Sequence, residues 1–61
     1  MLKAIIVDDE EKSRENLKIH LEEFCKNVEV LATAKSVDEG INAIEAFRPD
    51  ILFLDIQMQK E

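Results

Sequence analysis

The sequence is poor in the devices that usually stabilise a small protein. It has one cysteine, so no internal disulfide can form. One histidine beside that cysteine leaves no Cys/His cluster of the kind that holds a structural metal. The longest wholly apolar runs are too short to cross a bilayer. Met1-Leu2-Lys3 leads straight into a strand-like stretch and three acids, which is not a signal-peptide pattern. The expected location is therefore the cytoplasm. Positive charge is scarce: 8 Lys and Arg stand against 14 Asp and Glu, for a net charge of -6. That balance disfavours nucleic acid or an anionic membrane as a direct partner and favours cations or basic surfaces. One glycine and one proline leave no linker, and the chain holds no internal repeat and no low-complexity segment. The 61 residues read as one small domain. A chain of that size buries only about 60% of its extended surface and is marginal by itself.

What is present falls into two apolar runs tipped with acid. Ala4-Ile5-Ile6-Val7 leads into Asp8-Asp9-Glu10, and near the other end Ile51-Leu52-Phe53-Leu54 leads into Asp55. An unbroken apolar run rich in β-branched residues reads as a strand buried on both faces, as in a parallel sheet. Isolated carboxylates are too costly to keep in such an interior. The acids are therefore expected to emerge at the C-terminal end of each strand.

Between these runs the hydrophobic period changes. From Glu11 to about Cys25, Leu17, Leu21 and Phe24 recur at helical spacing, with Lys12, Glu15, Lys18 and Glu22 on the other faces. Asp9 or Glu10 can cap this helix, and acids suit its positive end. Val28 to Ala34 begins by alternating apolar and polar residues, which fits an edge strand. Ser36-Val37-Asp38-Glu39 matches a capping box. It opens a second helix that runs to about Phe47, with Val37, Ile41, Ile44 and Phe47 as the apolar face. Gly40 inside it costs about 1 kcal/mol against alanine, and close packing of helix on sheet is a reason to tolerate it. Arg48-Pro49-Asp50 ends the helix, since the residue before proline is displaced from the α region. Cys25 reads as a small buried hydrophobe, and His20, flanking the Leu17, Leu21 and Phe24 face, as a surface or hydrogen-bonded side chain rather than a ligand.

The order is β-α-β-α-β, which predicts an α/β fold with a parallel sheet and right-handed crossover helices. If the first and third strands are neighbours, Asp8, Asp9 and Asp55 share one sheet edge. A lone Asp at a strand end is usually a turn former or a cap. Two such ends meeting in a doubly wound sheet shift the balance, because sites in these sheets cluster at the C-terminal edge. Carboxylates held close together raise each other's pKa unless a cation neutralises them. An all-oxygen set suits a hard cation: Mg²⁺ commonly takes one or two carboxylates and keeps several waters. A carboxylate beside bound Mg²⁺ can act as a nucleophile and form an acyl phosphate. Asp55, a single acid held on an apolar strand, is the candidate nucleophile. Asp8 and Asp9 are the candidate metal ligands.

Two stretches, Ala4-Ile5-Ile6-Val7-Asp8-Asp9-Glu10 and Arg48-Pro49-Asp50-Ile51-Leu52-Phe53-Leu54-Asp55-Ile56-Gln57-Met58, resemble the receiver domain of two-component response regulators. The details are most similar to receivers attached to LytTR-type DNA-binding domains. The resemblance covers the whole chain. It implies a flavodoxin-like sheet with strands in the order 2-1-3. It implies that Asp55 is the phosphoacceptor, supplied by a sensor histidine kinase. It also implies that Asp9 and Asp55 bind Mg²⁺ directly, that Asp8 assists through water, and that the backbone carbonyl of Gln57 completes the protein ligands. Met58 matches a family position, and the resemblance implies that it packs beneath the loop.

Two features depart from the family pattern. Gln59 stands where a proline usually follows the Met, which implies a less rigid loop. Residues 1–61 correspond to about the N-terminal half of a receiver, with no second domain. The hydroxyl residue and the lysine that the family carries on its fourth and fifth strands are not among them. The expectation for this span is an inactive half-fold that associates with a second copy through residues 51–55. An enzyme reading, a Mg²⁺-dependent aspartyl phosphotransferase or phosphatase, is disfavoured by Gln57, since a common phosphatase pattern places a second Asp there. A purely structural reading, a self-assembling half-fold, is compatible with the receiver reading.

Overall fold

The computed structural model describes residues 1–55. Five elements alternate along them: β1 (Leu2–Asp8), α1 (Glu11–Phe24), β2 (Val28–Ala34), α2 (Val37–Phe47) and β3 (Ile51–Asp55). The strands form one sheet in the order β2-β1-β3, and both pairings are parallel. The parallel α/β sheet is the one that the order of elements predicted, and the strand order, with β2 at an edge, is the flavodoxin-like 2-1-3 that the resemblance implied. The two crossovers step in opposite directions across the sheet. Right-handed connections therefore place α1 and α2 on opposite faces.

Central position explains the composition of β1. Ala4, Ile5, Ile6 and Val7 are all essentially buried. Alternate residues of a strand face opposite sides. Ile5 and Val7 join Ala34 in a buried cluster on which Ala32, Ala43 and Ile44 pack, so the odd positions of β1 face α2. Ala4, Ile6 and Asp8 take the α1 face, where Leu21 is the buried residue of the helix.

One feature of β2 was not legible beforehand. Ala4 pairs with Val30, but Ile5 pairs with Ala32, so Leu31 is the extra residue of a β-bulge. Aligned residues of adjacent parallel strands share a face. Val28 and Val30 thus lie on the α1 face, whereas Ala32 and Ala34 lie on the α2 face. The bulge lets one run of even-numbered apolar residues serve both sides of the sheet.

The helix ends carry further detail. Ser36 Oγ accepts from the Glu39 N–H at 3.2 Å, as a capping box requires. The reciprocal bond falls one residue early, with Glu39 Oε1 accepting from the Lys35 N–H at 3.2 Å. Arg48 closes α2 in the left-handed region, at φ 50 and ψ 67. The proline that follows disfavours the right-handed alternative for Arg48.

Three burial expectations change. Phe24 does not join the inner face of α1 and is 70% exposed. Three residues fall 60° short of a full turn, so Phe24 swings away from Leu21 and lies against His20, with ring centroids 4.8 Å apart. Cys25 is half-buried, since it is the C-cap and stands outside the helix body. β3 is not enclosed on both faces: Ile51 and Phe53 are half-buried, while Leu52 and Leu54 are exposed. Among the described residues it pairs only with β1, and no helix packs over it. Val37 and Ile41 of α2 consequently stay about half exposed and line an apolar groove with Leu52 and Leu54.

Gly40 sits at the closest approach of α2 to the sheet. A Cβ built there would lie 2.8 Å from Val7 Cγ2. Val7 is β-branched and stiff at χ1, so it cannot swing aside. Gly40→Ala is therefore expected to destabilise the chain by about 1–2 kcal/mol, overriding alanine's higher helix propensity. Urea unfolding followed by circular dichroism measures this, and a gain in stability would show that the contact yields.

Candidate functional site

The C-terminal edge of the sheet is built from the ends of β1 and β3. Asp8 is the last residue of β1 and does not leave the strand, contrary to expectation: it is 3% exposed. Burial is tolerable because one carboxylate oxygen and the backbone carbonyl are both bonded. Asp8 Oδ1 accepts from the Glu10 N–H at 2.9 Å, an Asx turn two residues on. The Asp8 carbonyl accepts from Arg14 Nη1 at 2.8 Å. The turn into α1 is thus held from inside by Asp8 and from the helix by Arg14.

Capping also differs from expectation. Glu10 occupies the N-cap position with extended backbone, but its side chain makes no capping bond. Asp8 supplies the carboxylate instead, directed at the Glu10 amide. Asp9 is exposed at the same turn, beside the positive end of α1.

Asp55 is the last residue of β3 and is exposed. It lies directly across from Asp8 in an unbroken parallel register that runs from Ala4 and Ile51 to Asp8 and Asp55. Adjacent strands are about 4.8 Å apart. Paired residues in a parallel ladder direct their side chains to the same face. The fold thus brings Asp8 and Asp55 together on the α1 side of the edge, with Asp9 next along the chain. It does not gather a cage: among the described residues, no group of three His, Cys, Asp or Glu side chains stands ready to hold a metal. Asp8 is already turned to the Glu10 amide, and Asp9 is exposed. Gln57 and Met58, singled out in the sequence, lie outside the described residues.

The donor set nevertheless fits one hard cation. Asp55 at the end of β3 and Asp9, just past the end of β1, are as many carboxylates as Mg²⁺ commonly takes, with water filling the other positions. Arg14 is the residue that sequence reasoning passed over. Its signal was spacing: it lies four residues after Glu10, one helical turn in, so its side chain reaches back to the strand end. No helix among the described residues is long and apolar enough to cross a membrane.

Comparison with known proteins agrees with this geometry. Residues 4–61 match the response regulator receiver domain family. The transcriptional regulatory protein BtsR of Shigella flexneri is 48% identical over 60 residues, covering 98% of this chain and 25% of that protein. BtsR of Escherichia coli K12 is 47% identical over 60 residues, with the same coverage. The sensory transduction protein LytT of Bacillus cereus is 43% identical over 61 residues, covering all of this chain and 24% of that protein. The chain therefore spans about a quarter of the length of the curated relatives it matches. No solved structure matches it.

The Asx turn makes a distinction between two substitutions. Asp8→Ala removes the acceptor for the Glu10 amide and should cost about 1 kcal/mol. Asp8→Asn keeps an acceptor oxygen and should cost clearly less. Equal losses for both in urea unfolding would mean that charge, not the turn, is what stabilises this edge.

Proposed function

This chain belongs to the family of response regulator receiver domains, and on that premise we propose that Asp55 accepts a phosphoryl group in two-component signalling when the rest of a receiver is present. Residues 1–61 alone carry the acceptor and its proposed Mg²⁺ ligands, but not the family's hydroxyl and lysine that activity needs. The observation that carries the reading is the register that sets Asp55 opposite Asp8 at an open sheet edge. An exposed carboxylate there is accessible to a bulky donor, such as the phosphohistidine of a sensor histidine kinase. In the transfer, an Asp55 carboxylate oxygen forms the new P–O bond. The P–N bond to the imidazole breaks, and the leaving nitrogen takes up a proton. The product is an acyl phosphate.

Asp9 and Asp55 are proposed as direct Mg²⁺ ligands, with Asp8 acting through water and the Gln57 backbone carbonyl as a further donor. Bound Mg²⁺ would offset charge on the phosphoryl oxygens. Asp8 keeps the edge in shape through the Glu10 amide, and Arg14 steadies the same turn. In the longer relatives' pattern, this span would control a LytTR-type DNA-binding output without touching DNA itself. The net charge of -6 agrees with that separation. The phosphatase reading is weaker, because Gln57 offers no acid at the position where such enzymes place one.

We further propose that residues 1–61 alone associate through β3. Its outer edge carries unpaired backbone groups among the described residues, next to exposed Leu52 and Leu54. Such an edge is a template for another strand.

Two measurements test these readings. Mg²⁺ titration with beryllofluoride, an acyl-phosphate mimic, should show uptake that Asp55→Asn abolishes. No binding at millimolar Mg²⁺ would remove the phosphoacceptor reading for this span. Sedimentation across a dilution series should show a dimer that Leu54→Lys dissociates. A monomer at every concentration would overturn the association.

A further inference from the structure

The β1–β3 ladder is closed at its far end by a polar clasp. The Lys3 N–H donates to Asp50 Oδ2 at 2.9 Å. The Asp50 N–H donates to the Lys3 carbonyl at 2.7 Å. The ladder starts at the very next pair, Ala4 with Ile51, and runs without a shift to Asp8 and Asp55. The β1–β2 ladder, by contrast, slips at Leu31.

Little else in β3 specifies that register. A hydrophobic pattern fixes register when a slip by one residue would exchange apolar for polar groups. In β3 a slip exchanges Leu52 and Leu54 for Ile51 and Phe53, and all four are apolar. Among the described residues no helix backbone lies close over β3, and Leu52 and Leu54 share only an open groove with α2. A slip would still be ruinous for the site. One step moves Asp55 about 3.3 Å along the strand and turns its side chain to the face opposite Asp8.

We propose that Asp50 is the positioning residue of this edge: its carboxylate, bonded to the Lys3 amide, sets the register that places Asp55 opposite Asp8. The consequence for metal binding rests on the phosphoacceptor reading, whereas the register itself does not. Asp50 touches neither Asp8 nor Asp55 and acts through the ladder. The clasp uses the Lys3 backbone, so the lysine side chain is dispensable.

The test compares Asp50→Ala, Asp50→Asn and Lys3→Ala with the unaltered 61-residue chain, using cross-strand nuclear Overhauser contacts and Mg²⁺ calorimetry. Asp50→Ala should lose the Ala4–Ile51 contacts or show a second set, and should weaken Mg²⁺ binding about five- to tenfold, as expected for one lost hydrogen bond. Asp50→Asn keeps an acceptor oxygen and should restore both readouts, and Lys3→Ala should change neither. Unshifted contacts in Asp50→Ala would overturn the proposal. Shifted contacts in a chain whose unaltered form binds no Mg²⁺ would uphold the register role and remove the phosphoacceptor reading. Hydrogen exchange in the unaltered chain gives an arm that needs no variant: the Lys3 amide should be protected, and exchange at the free rate would overturn the clasp.

Discussion

A central strand with no wet face governs this structure. Ala4 to Val7 are covered by strands on both sides and by helices above and below. Each of Ile5, Ile6 and Val7 contributes about 1.5–3 kcal/mol by leaving water. Such a strand cannot slide or turn over without exposing that surface. It therefore acts as the datum to which the rest of the chain is referred. The helices lie where right-handed crossovers from it must put them, and Gly40 lets α2 settle directly on Val7.

The same constraint produces the chemistry of the edge. A strand with no polar position inside has to release its charge at its end, and Asp8 is where the release begins. Its carboxylate is buried but bonded to the Glu10 amide, which converts an electrostatic cost into a rigid turn. Asp55 differs in kind. It stands on the least enclosed strand, exposed and in line with Asp8. One acid is held for shape and the other is open to a reaction partner. That difference is in keeping with the phosphoacceptor role proposed for Asp55.

Four of the exposed apolar side chains gather in one groove. Val37, Ile41, Leu52 and Leu54 line a groove on the α2 face, where the sheet has helix cover on β1 and β2 but none on β3 among the described residues. The relatives are about four times as long as this chain. The groove and the outer β3 edge, unpaired among the described residues, are surfaces that further packing would cover.

Much of the molecule was determined by the sequence alone. Period and composition placed five elements within a residue or so of where they lie, because burial on two faces, burial on one stripe and capping each leave a local pattern. The acid-tipped strands, and the reason for Gly40, were legible for the same cause. Tertiary structure alone decided the rest. The bulge at Leu31 depends on how two ladders reconcile their spacing with the helices above them, and no residue in β2 announces it. The retention of Asp8 in the strand depends on an amide that becomes available only when the turn forms. The openness of β3 depends on what packs over it, not on its own residues, which read as fully buried. The pairing of Lys3 with Asp50 joins groups 47 positions apart. Local patterns report what a residue prefers to face, whereas register, bulges and long-range hydrogen bonds are settled only when separate elements meet.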